Sequence, residues 1–294
     1  MKTILITGGN GKMGRCITEG LRKAGYNVRS TSRTANEALG ISFLDVRDAD
    51  ACAEAMEGID TVIHMAFYLK PDNFIKEQVP TNIIGTWNLY EAAAKKGVKR
   101  FIFGSSNHAV GFYRQDDELR DDSMHRPDSP YGLSKCFAEL CGRYFSDRFG
   151  MSVINVRIGT FPHTEDGLPN TPRTCRTFLS YRDCQQLFQK CVEADDSIKF
   201  LTIYGTSGNS KTDFDISRLK GQIGYVPLDD GLVHLEHAIK AVPEQKYSTN
   251  PYGKIEYNFK GSGAVLFHPL LDRPVWDDLA ELEKRHAKNK EGKK

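Results

Sequence analysis

Short apolar runs alternate along this chain with longer amphipathic stretches, and the alternation predicts the architecture. Residues 4–6 form an apolar run that enters a glycine-rich turn and then a helix-like pattern reaching residue 24. The unit recurs. Strands are expected at 27–31, 41–44, 60–65, 98–103, 151–157 and 199–204. Helices are expected from Asp48 to Glu57, over 74–96 with Gly97 as a stop, from Tyr131 onward, and over 178–193. Residues 110–130 read as a charged connection, and 158–173 as a long irregular loop over the sheet rim. Strands separated by helices imply an α/β fold, here a Rossmann-type doubly wound parallel sheet with a small C-terminal substrate-binding part. Residues 1–160 are expected to form the dinucleotide-binding core. Residues 161–282 form a substrate-binding part interleaved with its last strands, and 283–294 a charged, disordered tail.

Composition narrows the function. The 294 residues are 39% hydrophobic and 27% charged, with a formal net charge of +2, so no strong field favours nucleic acid or a membrane surface. No apolar run approaches the ~18 residues of a spanning helix, and no signal-peptide pattern precedes the first strand, so a cytoplasmic location is expected. The seven cysteines contain no CxxC pair and read as reduced core thiols. The acidic run at 116–122 reads as a solvated loop, and no metal is expected.

Candidate chemistry gathers at predicted strand ends. Gly8, Gly11 and Gly14 sit between a strand and a helix, where glycines allow a tight turn and close backbone approach to a pyrophosphate at a helix N-terminus. The second strand lacks the terminal acid that takes adenosine ribose hydroxyls; Thr31, Ser32 and Arg33 stand there and tilt the expectation from NAD toward NADP. Asp45 ends the third strand, either contacting adenine or capping the next helix in competition with Asp48, and His64 reads as a packed core histidine. Ser105, Ser106, Asn107 and His108 follow the strand at 98–103 and reach the same rim as the glycine loop. Tyr131 and Lys135 lie at i and i+4 of a helix, so an ammonium can sit near the phenol and favour its anion. Tyr131 is therefore a candidate general base and Ser106 a candidate holder of the substrate hydroxyl.

In order, the segments TGGNGKMG, LDVRD, VIHMA, NIIGTWNLYEAA, FGSSNHAVGFY, RPDSPYGLSKCFAE, VINVRIG, PRTCRTFLSYRD and IYGTSGN resemble the extended short-chain dehydrogenase/reductases (the NAD-dependent epimerase/dehydratase family), and within them the uronate dehydrogenase branch. The likeness runs over roughly residues 3–228. It implies NAD(P)-dependent oxidation of a sugar at C1 to the lactone. Tyr131 would be the base, Lys135 its pKa partner and anchor for the nicotinamide ribose, and Ser106 the third catalytic member. By the same match Asn107, His108 and Thr160 touch the sugar and Arg173 clamps a substrate carboxylate. The cofactor would lie along Gly8, Asn10, Gly11, Lys12, Met13 and Gly14, then Thr31, Ser32, Arg33, Asp45, Val46, Met65, Ala66 and Phe67, with Asn82 and Lys135 beside it.

Lys70 and His163 depart from the family pattern around the sugar, and Lys70 with Arg173 could receive a phosphate. A sugar-phosphate or neutral aldose 1-dehydrogenase is therefore the related reading. A nucleotide-sugar epimerase or dehydratase is disfavoured by the short chain beyond residue 205 and by the SSNH segment, and a non-catalytic NAD(P)-binding regulator by the complete Ser, Tyr and Lys set. The resemblance also implies a homodimer or higher homo-oligomer, paired through the helices before and at Tyr131.

Overall fold

In a parallel sheet covered on both faces the inner strands are buried throughout, and the runs at 61–64, 100–106 and 152–158 are buried along their whole length. The computed structural model describes residues 2–240 apart from 70–72, 114–116, 118, 170 and 213, together with Ser248–Thr249 and Ile255–Glu256. Lys70 and the charged tail therefore lie outside the described residues. The strands are β1 (Thr3–Thr7), β2 (Asn27–Ser32), β3 (Ile41–Phe43), β4 (Thr61–His64), β5 (Arg100–Ser106), β6 (Ser152–Ile158) and β7 (Phe200–Gly205). They form one seven-stranded sheet in the order β3-β2-β1-β4-β5-β6-β7, parallel at every pairing. Strand order reverses between β1 and β4, and open α/β sheets bind ligands beyond the carboxyl ends of the strands at such a point.

Side chains alternate along each strand, so β1 feeds both cores. Ile4 and Ile6 pack with Ile17 and Leu21 of α1 (Lys12–Lys23) and with Leu187 and Phe188 of a later helix, while Leu5 packs on the opposite face. That opposite face is covered by α2 (Ala49–Ala55), α3 (Gly85–Lys95) and α4 (Pro130–Phe149), which contribute Cys52, Tyr90 and Phe145. α2 begins where Asp48 accepts the Ala51 amide at 3.0 Å, so Asp48 is the cap and Asp45 is not. α4 begins at Ser129, whose hydroxyl accepts the Gly132 amide, with Pro130 in the first turn where its missing N–H is not needed.

The helix expected over 74–96 is not uniform. Its first part, Phe74–Ile84, is wound as a π-helix, and only from Gly85 does it tighten into α3. Pro80 is the physical reason: it cannot donate an N–H and its ring crowds the carbonyl one turn earlier, both of which wider turns relieve. The loop expected at 158–173 closes with a short helix, α5 (Pro172–Arg176), capped by Thr171 and Thr174. The following helix, α6 (Tyr181–Glu193), starts at the Ser180 cap and not at residue 178, because Phe178 is bridged to Thr160.

Candidate active site

The turn after β1 is shaped by contacts only glycine permits. Gly8 has φ +76, and a Cβ there would lie 2.6 Å from the Met65 carbonyl carbon and 2.7 Å from the Ala66 nitrogen. A Cβ on Gly14 would come 2.3 Å from the Gly8 oxygen, so the start of α1 rests directly on the turn. Asn10 donates to the Thr34 carbonyl, while its Oδ1 is buried without a partner among the described residues. A backbone cradle at a helix N-terminus with a free buried acceptor fits a dinucleotide, whose pyrophosphate needs N–H donors and whose ribose supplies hydroxyls. Residues 65–67 form the facing wall, held by hydrogen bonds from the Met65 and Ala66 amides to Thr7.

Other expected cofactor residues divide. The Thr31 hydroxyl is buried and donates to the Ile6 carbonyl at 3.0 Å, so it serves the sheet and leaves only Ser32 and Arg33 toward a 2′-phosphate. Asp45 is held by Arg47, with Nε to Oδ1 at 2.9 Å, and this hydrogen bond keeps its carboxyl below the ordinary range. Val46 is buried and packs against Gly85, where a Cβ would lie 2.6 Å from its Cγ2. The Asn82 side chain grips the Tyr68 backbone at both ends, 2.7 Å to its N and 3.0 Å to its O, and so shapes the 67–69 wall. His64 is a core residue: fully buried, within 3.2 Å of the hydroxyls of Thr7 and Thr86, and kept neutral by burial, which pushes it down to about 3.

Beyond the cradle, β5 and α4 meet. Tyr131, Lys135 and Glu139 recur every four residues of α4 and therefore share its sheet-facing side. Lys135 Nζ donates to the Gly104 carbonyl at 2.5 Å, lies 3.5 Å from the Phe67 ring centroid and sits 5.4 Å from that of Tyr131. The expected partnership is thus on one helix face, but the ammonium is spent on Gly104 and Phe67. Burial lowers the Lys135 pKa well below its ordinary value, with the Glu139 charge opposing. Burial also pushes the largely covered Tyr131 phenol up, and the nearby Ser106 hydroxyl pulls it back. Ser106 further accepts the His108 amide at 3.2 Å, which starts a single helical turn at Asn107–Val110.

Several residues not singled out from the sequence support this edge. The Asp128 carboxylate lies 2.9 Å from His108 Nδ1. Glu139 accepts from Ser105, from His125 at 2.8 Å and from Arg157 at 2.9 Å. Glu139 was within reach of the helical period, since it continues the Tyr131 and Lys135 spacing, but the Asp128 contact is made by folding. Thr160 pairs its hydroxyl with that of Thr177 at 2.8 Å, and Arg173 lies half-buried on α5. His163 Nδ1 meets Lys12 Nζ at the start of α1, beside the cradle. Among the described residues no group of His, Cys, Asp and Glu could hold a metal ion, and no helix is long and apolar enough to cross a membrane.

Residues 4–164 match the model of the NAD dependent epimerase/dehydratase family. The chain is 35% identical over 234 residues to uronate dehydrogenase of Pseudomonas putida, covering 77% of this chain and 84% of that one. It is 34% identical to the NAD-dependent glucose-6-phosphate dehydrogenase of Haloferax volcanii, over 77% of this chain and 93% of that one. It is 33% identical to the L-arabinose 1-dehydrogenase (NAD(P)(+)) of the same organism, over 80% of this chain and all of that one. The fold superimposes on the crystal structure of a tyrosine-to-alanine mutant of Agrobacterium tumefaciens uronate dehydrogenase complexed with NAD, with a TM-score of 0.76, 31% identity, and coverage of 84% of this chain and 92% of that one.

Proposed function

The chain belongs to the NAD dependent epimerase/dehydratase family, and we propose that it is an NAD(P)-dependent sugar dehydrogenase that oxidises C1 of a cyclic sugar to the lactone, with Tyr131 as general base. One observation carries the reading: Ser106, Tyr131 and Lys135 are gathered at the end of β5, one strand across from the Met65–Phe67 wall of the glycine cradle. NAD(P), when bound, supplies the hydride acceptor. Tyr131 takes the proton of the C1 hydroxyl, and the Ser106 hydroxyl, at the end of β5, holds that hydroxyl for the transfer. Lys135 anchors a ribose hydroxyl and supplies positive charge behind the phenol once it turns from Gly104. Asn107, His108 and Thr160 meet the sugar.

The substrate class is a uronic acid, with Arg173 as receptor of its carboxylate, since a guanidinium matches that group through two hydrogen bonds. A neutral aldose or sugar phosphate is the second reading. It is supported by identities of 33% and 34% to an arabinose and a glucose-6-phosphate dehydrogenase, nearly the 35% to a uronate dehydrogenase. NADP is accepted and preferred, supported by Ser32 and Arg33 where an acid is missing. A homodimer accompanies the activity, supported by the apolar outer face of α3 and α4, where Trp87, Leu140 and Tyr144 are 40%, 58% and 49% exposed.

The test follows reduced-cofactor absorbance with NAD and NADP over galacturonate, glucuronate, neutral aldoses and sugar phosphates. Reduction with a uronate above the other sugars is expected, and no reduction with any of them overturns the proposal.

A further inference from the structure

We infer that Asp128 is a positioning residue that fixes the tautomer of His108, so that Nε2 of the neutral imidazole is an acceptor for one hydroxyl of the sugar. The inference rests on the sugar dehydrogenase reading of the same site and adds how one side of the sugar is recognised.

The Asp128 side chain is fully covered, and both its oxygens lie 2.9 Å from His108 Nδ1. Its Oδ1 also accepts from the Ser129 hydroxyl at 3.0 Å, the same hydroxyl that caps α4 by accepting the Gly132 amide. An ionised carboxylate only accepts, so Nδ1 must carry the hydrogen. A neutral imidazole protonated at Nδ1 has a bare Nε2. That nitrogen has no hydrogen bond among the described residues, and the His108 side chain is 28% exposed, edge-on to the Tyr131 ring at 5.8 Å. The acceptor is therefore unspent and stands beside the proposed base.

Two glycines show that the pairing is built into the chain. A Cβ on Gly111 would lie 2.0 Å from Asp128 Oδ2 and 2.2 Å from its Cγ. A Cβ on Gly132 would lie 2.4 Å from the His108 oxygen and 3.3 Å from Asp128 Oδ1. Neither glycine needs its conformational freedom: Gly111 has φ −67, and Gly132 is inside α4. The room at Gly111 is taken by the Asp128 carboxylate, and the room at Gly132 by the His108 backbone, so both glycines let the two partners approach. A bare Nε2 accepts an O–H and repels an anion. His108 therefore reads a hydroxyl, and the carboxylate or phosphate of a charged sugar must be met elsewhere.

The tautomer is read by long-range 1H–15N correlation on the full chain labelled at histidine, with the His108 signals identified by their loss in His108→Asn. The wild type is expected to show the Nδ1–H form, and Asp128→Ala to lose it. Gly111→Ala, which fills the slot while keeping both side chains, should do the same and serves if the first variant does not fold. An Nε2–H form or an imidazolium in the wild type at neutral pH overturns the inference, as does an unchanged tautomer in a folded variant. These spectra need no substrate, so their failure is seen separately from failure of the sugar dehydrogenase reading. In turnover, Asp128→Ala should raise the sugar KM about tenfold with a smaller change in kcat, as for one lost hydrogen bond. The penalty should disappear for one sugar of a monodeoxy series. An equal penalty with every member of the series overturns the acceptor role.

Discussion

Glu139 Oε2 and Arg157 Nη2 lie 2.9 Å apart, with side chains only 2% and 4% exposed. The pair joins α4 to β6 directly beneath the proposed catalytic edge. Glu139 also holds Ser105 and His125, and Arg157 also donates to the Tyr204 hydroxyl and the Ser123 carbonyl. Removing one partner leaves the other charge buried and unpaired. Glu139→Ala should therefore cost about 3–5 kcal/mol of stability, read from denaturant midpoints at neutral pH. A midpoint equal to that of the wild type would show that the pair does not hold the two elements together.

The same carboxyl predicts acid sensitivity. Burial alone would raise it, but the hydrogen bond from His125 and the charge of Arg157 hold it down, from an ordinary 4.5 to about 2. A depressed folded-state value stabilises the fold above 4.5, and the contribution is lost as pH falls from 4.5 toward 2. Thermal midpoints of the wild type should fall over that window, and the gap to Glu139→Gln should close there. A gap that stays constant with pH would contradict this.

The strand and helix order, the glycine turn and the Tyr131–Lys135 face were legible because each is local: period 2, period 3.6 and turn chemistry lie within a few residues. What the sequence hid was made by distant neighbours. His163 meets Lys12 across 151 residues, and Asp128 meets His108 across 20. Thr31 looked free for a phosphate, but the inward turn of its hydroxyl to Ile6 is a property of the β1–β2 pairing. The π-wound start of the third predicted helix was written in Pro80, whose missing donor conflicts with an otherwise helical pattern.

Tyr131→Phe removes the proton acceptor and keeps the ring that faces Phe67 and His108 edge-on. Turnover should fall by a factor of about 10² to 10⁴, while cofactor affinity by fluorescence titration stays near that of the wild type. Because burial pushes the phenol up, wild-type turnover should rise with pH from neutral into the alkaline range, and the variant should lose that rise. Near-normal turnover in the variant would remove Tyr131 as base.

Arg33 and Thr31 should separate in cofactor selection. Arg33 is exposed at the end of β2, whereas the Thr31 hydroxyl is bonded within the sheet. Arg33→Ala should lower kcat/KM with NADP by about tenfold or more, the scale of one charge-assisted contact, and leave NAD nearly unchanged. Thr31→Val should lower the melting temperature without altering the cofactor ratio. If Arg33→Ala leaves the NADP to NAD ratio as it was, the 2′-phosphate is not read by that side chain.

Arg173 divides the two substrate readings. It sits half-buried on α5, with its carbonyl accepting the Thr177 amide at 3.2 Å, and Thr177 in turn bonds the Thr160 hydroxyl, so the helix is tied to the strand end that leaves β6. If it meets a uronate carboxylate, Arg173→Ala loses a charge-assisted contact that a neutral sugar never makes. The loss in kcat/KM should be about 2–4 kcal/mol for the acid, as for truncating one partner of a buried charge pair, and under about 1 kcal/mol for a neutral aldose. Arg173→Lys should recover only part, because an ammonium lacks the planar fork. Measured side by side on galacturonate and on the matching neutral aldose, equal losses would assign Arg173 to the scaffold of α5 and move the anion receptor elsewhere in the site.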